Sequence, residues 1–307
     1  MKTIRAAVGV LQQKDGKILI AKRQKGQLMA GFWELPGGKI EADETPKNAA
    51  IRELREELGI EVEALSLHKT MQQKYQNRIV ELHIFNIEKY QNQPAGIEGQ
   101  TIAWSSINAL KNYQLLPTMK AFIASITLPK KYWITPSKNH QSPEWMAKFE
   151  QKLRQNIRLI QLRSKTLLDE CFIKELSRKC QQHSVKLLLN TPDKTFTQTY
   201  VDGFHLTTSE LLKLSHRPCS DDKFLGASAH NLNDAKYAEK IGADFVVISP
   251  VQLTKTHPNA IPIGWENAHQ VANSLNIPVY FLGGMGEKDL AKTIKLGAQG
   301  IAGVSAF

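Results

Sequence analysis

Gly38-Lys39-Ile40-Glu41-Ala42-Asp43-Glu44-Thr45-Pro46-Lys47-Asn48-Ala49-Ala50-Ile51-Arg52-Glu53-Leu54-Arg55-Glu56-Glu57-Leu58-Gly59-Ile60 is the stretch on which the reading of the N-terminal half turns. It predicts a helix over 46–58. Thr45 can cap the first-turn amides, Pro46 suits the first helical position, and Gly59 supplies a left-handed terminator. Ala50, Leu54 and Leu58 recur at i, i+4 and i+8 and form an apolar stripe. Glu53, Glu56 and Glu57 stand at i, i+3 and i+4, so three carboxylates crowd one side, at ~0.2–0.5 kcal/mol per like-charged pair. Two readings accommodate them. One is a solvated acidic face relieved by Arg52 and Arg55. The other is a hard-cation site, because clustered carboxylate oxygens are what Mg²⁺ or Mn²⁺ selects. The Pro36-Gly37-Gly38 turn just upstream lets backbone carbonyls approach the same place.

The same residues fill, without a gap, the pattern G-x5-E-x7-R-E-U-x-E-E-x-G-U, with U a bulky aliphatic residue. That pattern is the signature of the Nudix hydrolases, and the chain resembles their MutT-type branch, which hydrolyses oxidised guanine nucleotides. Arg23, Met29-Ala30, the run Trp33-Glu34-Leu35-Pro36-Gly37-Gly38-Lys39-Ile40-Glu41, Arg78 and Glu98-Gly99-Gln100 extend the likeness over residues 1–127. The resemblance implies a Nudix α/β/α sandwich over 1–128. It also implies hydrolysis of a nucleoside triphosphate such as 8-oxo-dGTP to the monophosphate and pyrophosphate, by a water activated on Mg²⁺, with Mn²⁺ as the second choice.

Carried over residue by residue, Glu53, Glu56 and Glu57 would hold metal, with Glu98 as a further ligand or base from a separate loop. Gly37 or Gly38 would add a carbonyl, Arg52 would orient the glutamates, and Glu44 would support that network. Arg23 and Lys39 are phosphate candidates, each equally readable as a solvated cation. Glu34 and Arg78 complete the substrate-side set. One departure stands out. Relatives carry an asparagine that reads the purine edge where this chain has Met119, in Leu115-Leu116-Pro117-Thr118-Met119. A thioether cannot make bidentate amide contacts to a base. Asn108 or Asn112 could take that role or be ordinary loop residues.

The second half has a different rhythm. Short apolar runs recur at Tyr132–Thr135, Leu159–Leu162, Lys186–Leu189, Gly203–Leu206, Phe224–Ala227, Phe245–Ile248, Val279–Leu282 and Ile301–Val304. Eight strands alternating with crossover segments predict a parallel (β/α)8 barrel over 129–307, after a boundary at Thr127–Lys131. Three residues follow the last strand, so the barrel is expected to lack its closing helix. Something must cover the outer side of its first and last strands: the segment Ser142–Arg154, the first domain, or a second subunit.

The strand ends resemble thiamine-phosphate synthase. They are Gln161-Leu162-Arg163-Ser164-Lys165, Asn190, Asp202-Gly203-Phe204-His205-Leu206, Ser228, Thr254 and Thr256, Gly283-Gly284-Met285, and Val304-Ser305-Ala306. The resemblance implies that Gly283, Gly284 and the Val304 and Ser305 amides cradle a phosphate. It implies that Gln161, Arg163, Lys165 and Asn190 face a pyrimidine diphosphate. The family's metal-binding aspartate is Thr191 here, and the lysine ending its Thr-x-Thr-Lys loop is His257. That leaves two options: a bifunctional enzyme, or a degenerate barrel that binds a phosphorylated thiamine-precursor-like ligand and serves the hydrolase.

Composition bounds the rest. In 307 residues, 42% are hydrophobic and 22% charged, as in ordinary globular proteins. No apolar run is long enough for a membrane helix, which needs ~18 residues. The three cysteines lie far apart, which fits free thiols in a reducing compartment, so a cytoplasmic location is expected. The net charge of +11 divides as +4 in residues 1–128 and +7 in the remainder, with no basic stripe interleaved with aromatics. Direct nucleic-acid binding is therefore not expected. Composition leaves the oligomeric state open.

Overall fold

In chain order the N-terminal elements are β1 (Lys2–Val10), β2 (Ile18–Lys22), β3 (Trp33–Glu34), β4 (Gly37–Lys39), α1 (Pro46–Leu58), β5 (Glu61–Lys74), β6 (Arg78–Gln91), β7 (Ile102–Ser105) and α2 (Pro117–Thr127). The computed structural model describes residues 2–74, 78–192, 195–254 and 260–307. Two compact units divide the chain, Met1–Ile123 and Ala124–Phe307.

In the first unit a mixed sheet runs β4-β1-β6-β5, with β1 and β6 parallel, beside an antiparallel sheet β3-β2-β7. Helix α1 lays Ala50, Leu54 and Leu58, all fully buried, on Ala7, Leu19 and Phe85 of the sheets. Its ends follow the sequence signals. Thr45 Oγ1 accepts the Asn48 N–H at 3.2 Å, Pro46 opens the helix, and Gly59 ends it at φ 68°. Strand β4 pairs with β1 so that Gly38 lies opposite Ala7 and Gly37 opposite Val8. A Cβ on Gly37 (φ 135°) would strike the Ala7 carbonyl, and one on Gly38 would strike the Glu53 carboxylate. Glycine is thus required at position 37, and at position 38 any side chain would displace Glu53.

The second unit contains β8 (Lys131–Ile134), α3 (Pro143–Arg154), β9 (Leu159–Arg163), α4 (Glu170–Gln182), β10 (Lys186–Asn190), β11 (Gly203–Leu206), α5 (Thr208–Leu211), β12 (Phe224–Ala229), α6 (Leu232–Lys240), β13 (Phe245–Ile248), α7 (Gly264–Asn273), β14 (Val279–Phe281), α8 (Leu290–Lys295) and β15 (Gly300–Gly303). These eight strands close into one parallel barrel, as the apolar runs predicted. Ala124 and Leu128, at the C-terminal end of α2, join the barrel core with Tyr132, Phe245 and Tyr280, which is why the unit begins at Ala124.

Residues 304–307 contain no helix, as the sequence suggested. Trp133 of β8 is nevertheless fully buried, its ring 6.0 Å from that of Phe149. Helix α3, which lies in the segment Ser142–Arg154, therefore packs on β8. Among the described residues no helix is long and apolar enough to cross a membrane.

Candidate active site

The chemistry-bearing residues of the first unit converge where α1 crosses the Gly37–Gly38 turn. Arg52 is the hub. Its Nε and Nη2 donate to both Glu44 oxygens at 3.0 and 2.9 Å, Nη1 to Glu53 Oε1 at 2.8 Å and Glu56 Oε2 at 3.0 Å, and Nη2 to the Lys39 carbonyl at 3.0 Å. One guanidinium thus ties three carboxylates to the strand they face. The Glu44 contact comes first among the causes that hold Arg52 protonated, and in return Arg52 keeps the Glu44 carboxyl below its ordinary range.

Glu57 is tied to the glycine turn itself. Its Oε2 accepts the Gly37 N–H at 2.9 Å. Burial pushes its carboxyl up to about 7, and the charges of Glu53, Glu34 and Glu98 add to the rise against the Gly37 hydrogen bond. Glu53 is raised as well, chiefly by burial, with Glu56 and Glu98 contributing and Arg52 opposing. Carboxylates that disfavour one another's ionisation form a site short of positive charge.

A cleft of about 300 Å³, open solvent at its mouth included, is lined among others by Lys22, Arg23, Gln24, Gln27, Glu34, Gly37, Glu57, Glu98 and Gln100. Inside it Arg23 Nη1 donates to Glu34 Oε1 at 2.5 Å and its Nε to the Leu28 carbonyl at 2.6 Å. Burial raises the Glu34 carboxyl, and Arg23 partly offsets it.

The donor set fits a hard divalent cation: carboxylate oxygens, a glycine turn with no side chain to obstruct them, and mutual repulsion for a cation to relieve. Among the described residues, no three His, Cys, Asp or Glu side chains are already drawn together as a metal cage. The reason is visible in the hydrogen bonds, since Arg52 holds Glu53 and Glu56 by their oxygens.

Not every predicted residue joins this group. Lys39 contributes its carbonyl to Arg52 while its side chain is exposed. Arg78 begins β6, five positions before His83, which pairs with Ala7 beside Gly38. That offset is about 16 Å along the strand. Met119 is only 2% exposed and is not among the residues lining the cleft. Asn108 and Asn112 are exposed on a 3-10 turn, outside the cleft lining. Conversely, Gln24 and Gln27 enter the lining with no signal in the sequence beyond polarity.

The barrel holds its predicted residues in two ways. Gln161 and Asn190 are buried in a polar chain. Tyr132 Oη donates to Gln161 Oε1 at 3.1 Å and lies 3.2 Å from His205 Nδ1; His205 Nε2 lies 2.9 Å from Ser228 Oγ, and Asn190 Nδ2 donates to the His205 carbonyl at 2.7 Å. Tyr132 is the member of this chain that no motif singles out, its one signal being a polar tip inside an apolar strand.

Arg163 ends β9, where its N–H meets Thr135 Oγ1 at 3.0 Å, and Lys165 is exposed just beyond. Gly283 and Gly284 both take positive φ, 99° and 66°, and a Cβ on either would press on the Pro250 or Leu253 backbone. The Val304 carbonyl accepts from Trp133 Nε1 at 3.2 Å, and Ser305 is exposed. Thr254 is half-buried, whereas Thr256 and His257 lie outside the described residues.

The first unit is thus a carboxylate-rich phosphohydrolase-type site and the second a parallel barrel with a glycine-framed mouth. Residues 7–125 match the NUDIX domain family, and residues 131–307 match the thiamine monophosphate synthase family. The 8-oxo-dGTP diphosphatase of Escherichia coli (strain K12) is 35% identical over 126 residues, covering 41% of this chain and 98% of the relative. The CTP pyrophosphohydrolase of the same organism is 36% identical over 128 residues, 40% of this chain and 94% of the relative. A provisionally named thiamine-phosphate synthase 2 of Aquifex aeolicus (strain VF5) is 36% identical over 183 residues, 59% of this chain and 98% of the relative. The chain belongs to the Nudix hydrolases through its first unit and to the thiamine monophosphate synthase family through its barrel.

Proposed function

We propose that the first unit hydrolyses a nucleoside triphosphate, 8-oxo-dGTP or a related nucleotide, to the monophosphate and pyrophosphate, with Mg²⁺ as cofactor and Mn²⁺ able to replace it. The observation that carries this reading is the set of Glu53, Glu56 and Glu57 beside the Gly37–Gly38 turn, organised by Arg52 and faced by Glu98. A bound divalent cation would lower the pKa of water and offset phosphate charge. Glu53, Glu56, Glu57 and Glu98 supply the oxygens that hold it, and a Gly37 or Gly38 carbonyl can add one more. Arg52 keeps the glutamates aimed, Glu44 keeps Arg52 in place, and Arg23 offers a cation to the phosphates.

Base preference is left to pocket shape, because Met119 offers no amide edge and relatives named for purine and for cytosine nucleotides are equally similar. The test is a panel of 8-oxo-dGTP, dGTP, CTP and their relatives with Mg²⁺, read by phosphorus NMR for monophosphate and pyrophosphate. Release of single phosphates, or no turnover of any member, would refute the reading.

For the barrel we propose binding of a phosphorylated thiamine-precursor-like ligand. Two consecutive positive-φ glycines and the polar chain from Gln161 to Ser228 support a ligand site. Thr191, where the family carries a metal-binding aspartate, weakens the case for the synthase step. Thiamine phosphate formed by the full chain from both precursors with Mg²⁺ would favour the bifunctional alternative instead.

A further inference from the structure

The Glu98 loop has to present its carboxylate to a cleft from an exposed segment that belongs to neither a helix nor a strand. On the α1 side it is tied down by two donors to one acceptor. The Ile97 N–H and Gln100 Nε2 both reach the Glu57 carbonyl, at 3.0 and 2.8 Å. Gln100 is only 8% exposed, and its Oε1 is buried with no hydrogen-bond partner among the described residues. A buried acceptor left unmet is unfavourable. An apolar residue would fill the same space without that cost, so Gln100 is placed for its one good bond, the one to Glu57.

On the opposite side the loop meets the β2–β3 connection. Gln24 Nε2 donates to the Glu98 carbonyl at 2.9 Å. The Gln24 backbone is itself held, since its N–H donates to Gln27 Oε1 at 2.8 Å and the Gln27 N–H returns to the Gln24 carbonyl at 3.2 Å. Arg23 next to it is anchored by the Leu28 carbonyl and Glu34. Gln24 therefore reaches across the cleft from a braced position, and both glutamines line that cleft.

We propose that Gln24 is a positioning residue for the hydrolase: its amide, opposite that of Gln100, clamps the Glu98 loop so that the Glu98 carboxylate stays facing Glu57. The inference rests on the proposed hydrolysis for its consequence but on the two amide contacts for its geometry. Gln24 is exposed, so replacing it removes the clamp without disturbing a core.

The decisive variant is Gln24→Glu, which keeps size and turns the donor into an acceptor set against the Glu98 carbonyl. In the full chain, amide exchange at Ile97 and Gly99 should quicken and the half-saturating Mn²⁺ concentration, measured without nucleotide, should rise. Each change should be about three- to tenfold, the factor one exposed hydrogen bond is worth. With nucleotide, kcat should fall by a similar factor while KM and the thermal midpoint stay put. Gln24→Lys, which keeps a donor of comparable reach, should restore slow exchange. Unchanged exchange and Mn²⁺ titration in Gln24→Glu would overturn the clamp. A wild type that hydrolyses no nucleoside triphosphate would overturn the proposed function instead, and the exchange comparison would still decide the clamp.

Discussion

Glu57 should make the first unit less stable as an empty protein than it would be without a charge there. Its carboxyl is raised from 4.5 to about 7, mainly by burial. A raised pKa means that the protonated form is the one the fold favours. The stability it contributes is therefore fully present below pH 4.5, the value expected in the unfolded chain, and is lost as pH climbs through about 7. Each tenfold change in proton affinity is worth about 1.4 kcal/mol, so the loss between pH 4 and pH 8 amounts to ~3 kcal/mol. Glu57→Gln removes that loss while keeping an oxygen for the Gly37 N–H. The variant's unfolding midpoint at pH 8 without metal should then exceed the wild type's by ~10 °C, using roughly 3 °C per kcal/mol for a unit of this size.

Added Mg²⁺ should reverse the order, stabilising the wild type and leaving Glu57→Gln nearly unmoved, because a metal ligand has gone. Hydrolysis by the variant should fall by orders of magnitude. Calorimetry from pH 4 to pH 8, following the transition that responds to Mg²⁺, with phosphate-release kinetics alongside, reads both halves. Parallel pH curves for the two proteins, or near-normal turnover by the variant at saturating Mg²⁺, would refute the reasoning.

Arg52→Lys keeps the charge but not the fork that spans Glu44, Glu53 and Glu56; kcat should drop by ~10²-fold with a much smaller change in KM, read by steady-state kinetics. Gly38→Ala drives a methyl into the Glu53 carboxylate, so Mn²⁺ affinity by calorimetric titration should fall at least ~tenfold. Met119→Asn buries an amide at a site only 2% exposed and should cost ~2–4 kcal/mol in denaturant titrations; a gain in 8-oxo-dGTP selectivity without that cost would show the side chain to be a base reader after all. Tyr132→Phe leaves Gln161 and His205 without their shared hydroxyl and should destabilise the barrel by ~2–3 kcal/mol, measured the same way.

What could be read in the sequence was what local chemistry dictates. Helix α1 announces both its ends because a capping threonine, a proline and a terminal glycine each act within one turn of the residues they stop or start. The eight barrel strands were visible because a strand buried on both faces must be a short continuous apolar run. Strand β5 is not legible in the sequence for the converse reason. Its pairing with β6 shifts register between Val62 and Ala64, Ala64 and Leu65, and Leu67 and Lys69, so the alternation that betrays a half-buried strand never settles.

The glutamates of the site share one helix, and their spacing alone puts them on one side. Gln24 shares nothing local with Glu98, 74 residues away, and the bond between them goes to a backbone carbonyl, which any residue type would offer equally. Met119 shows the same limit from the other direction. The resemblance puts a base reader at its position, but whether a side chain reads a ligand or fills a core is decided by what packs over it, and here the answer is a buried methionine. Spacing fixes which groups can meet; only the packed chain determines which of them are left facing the cleft.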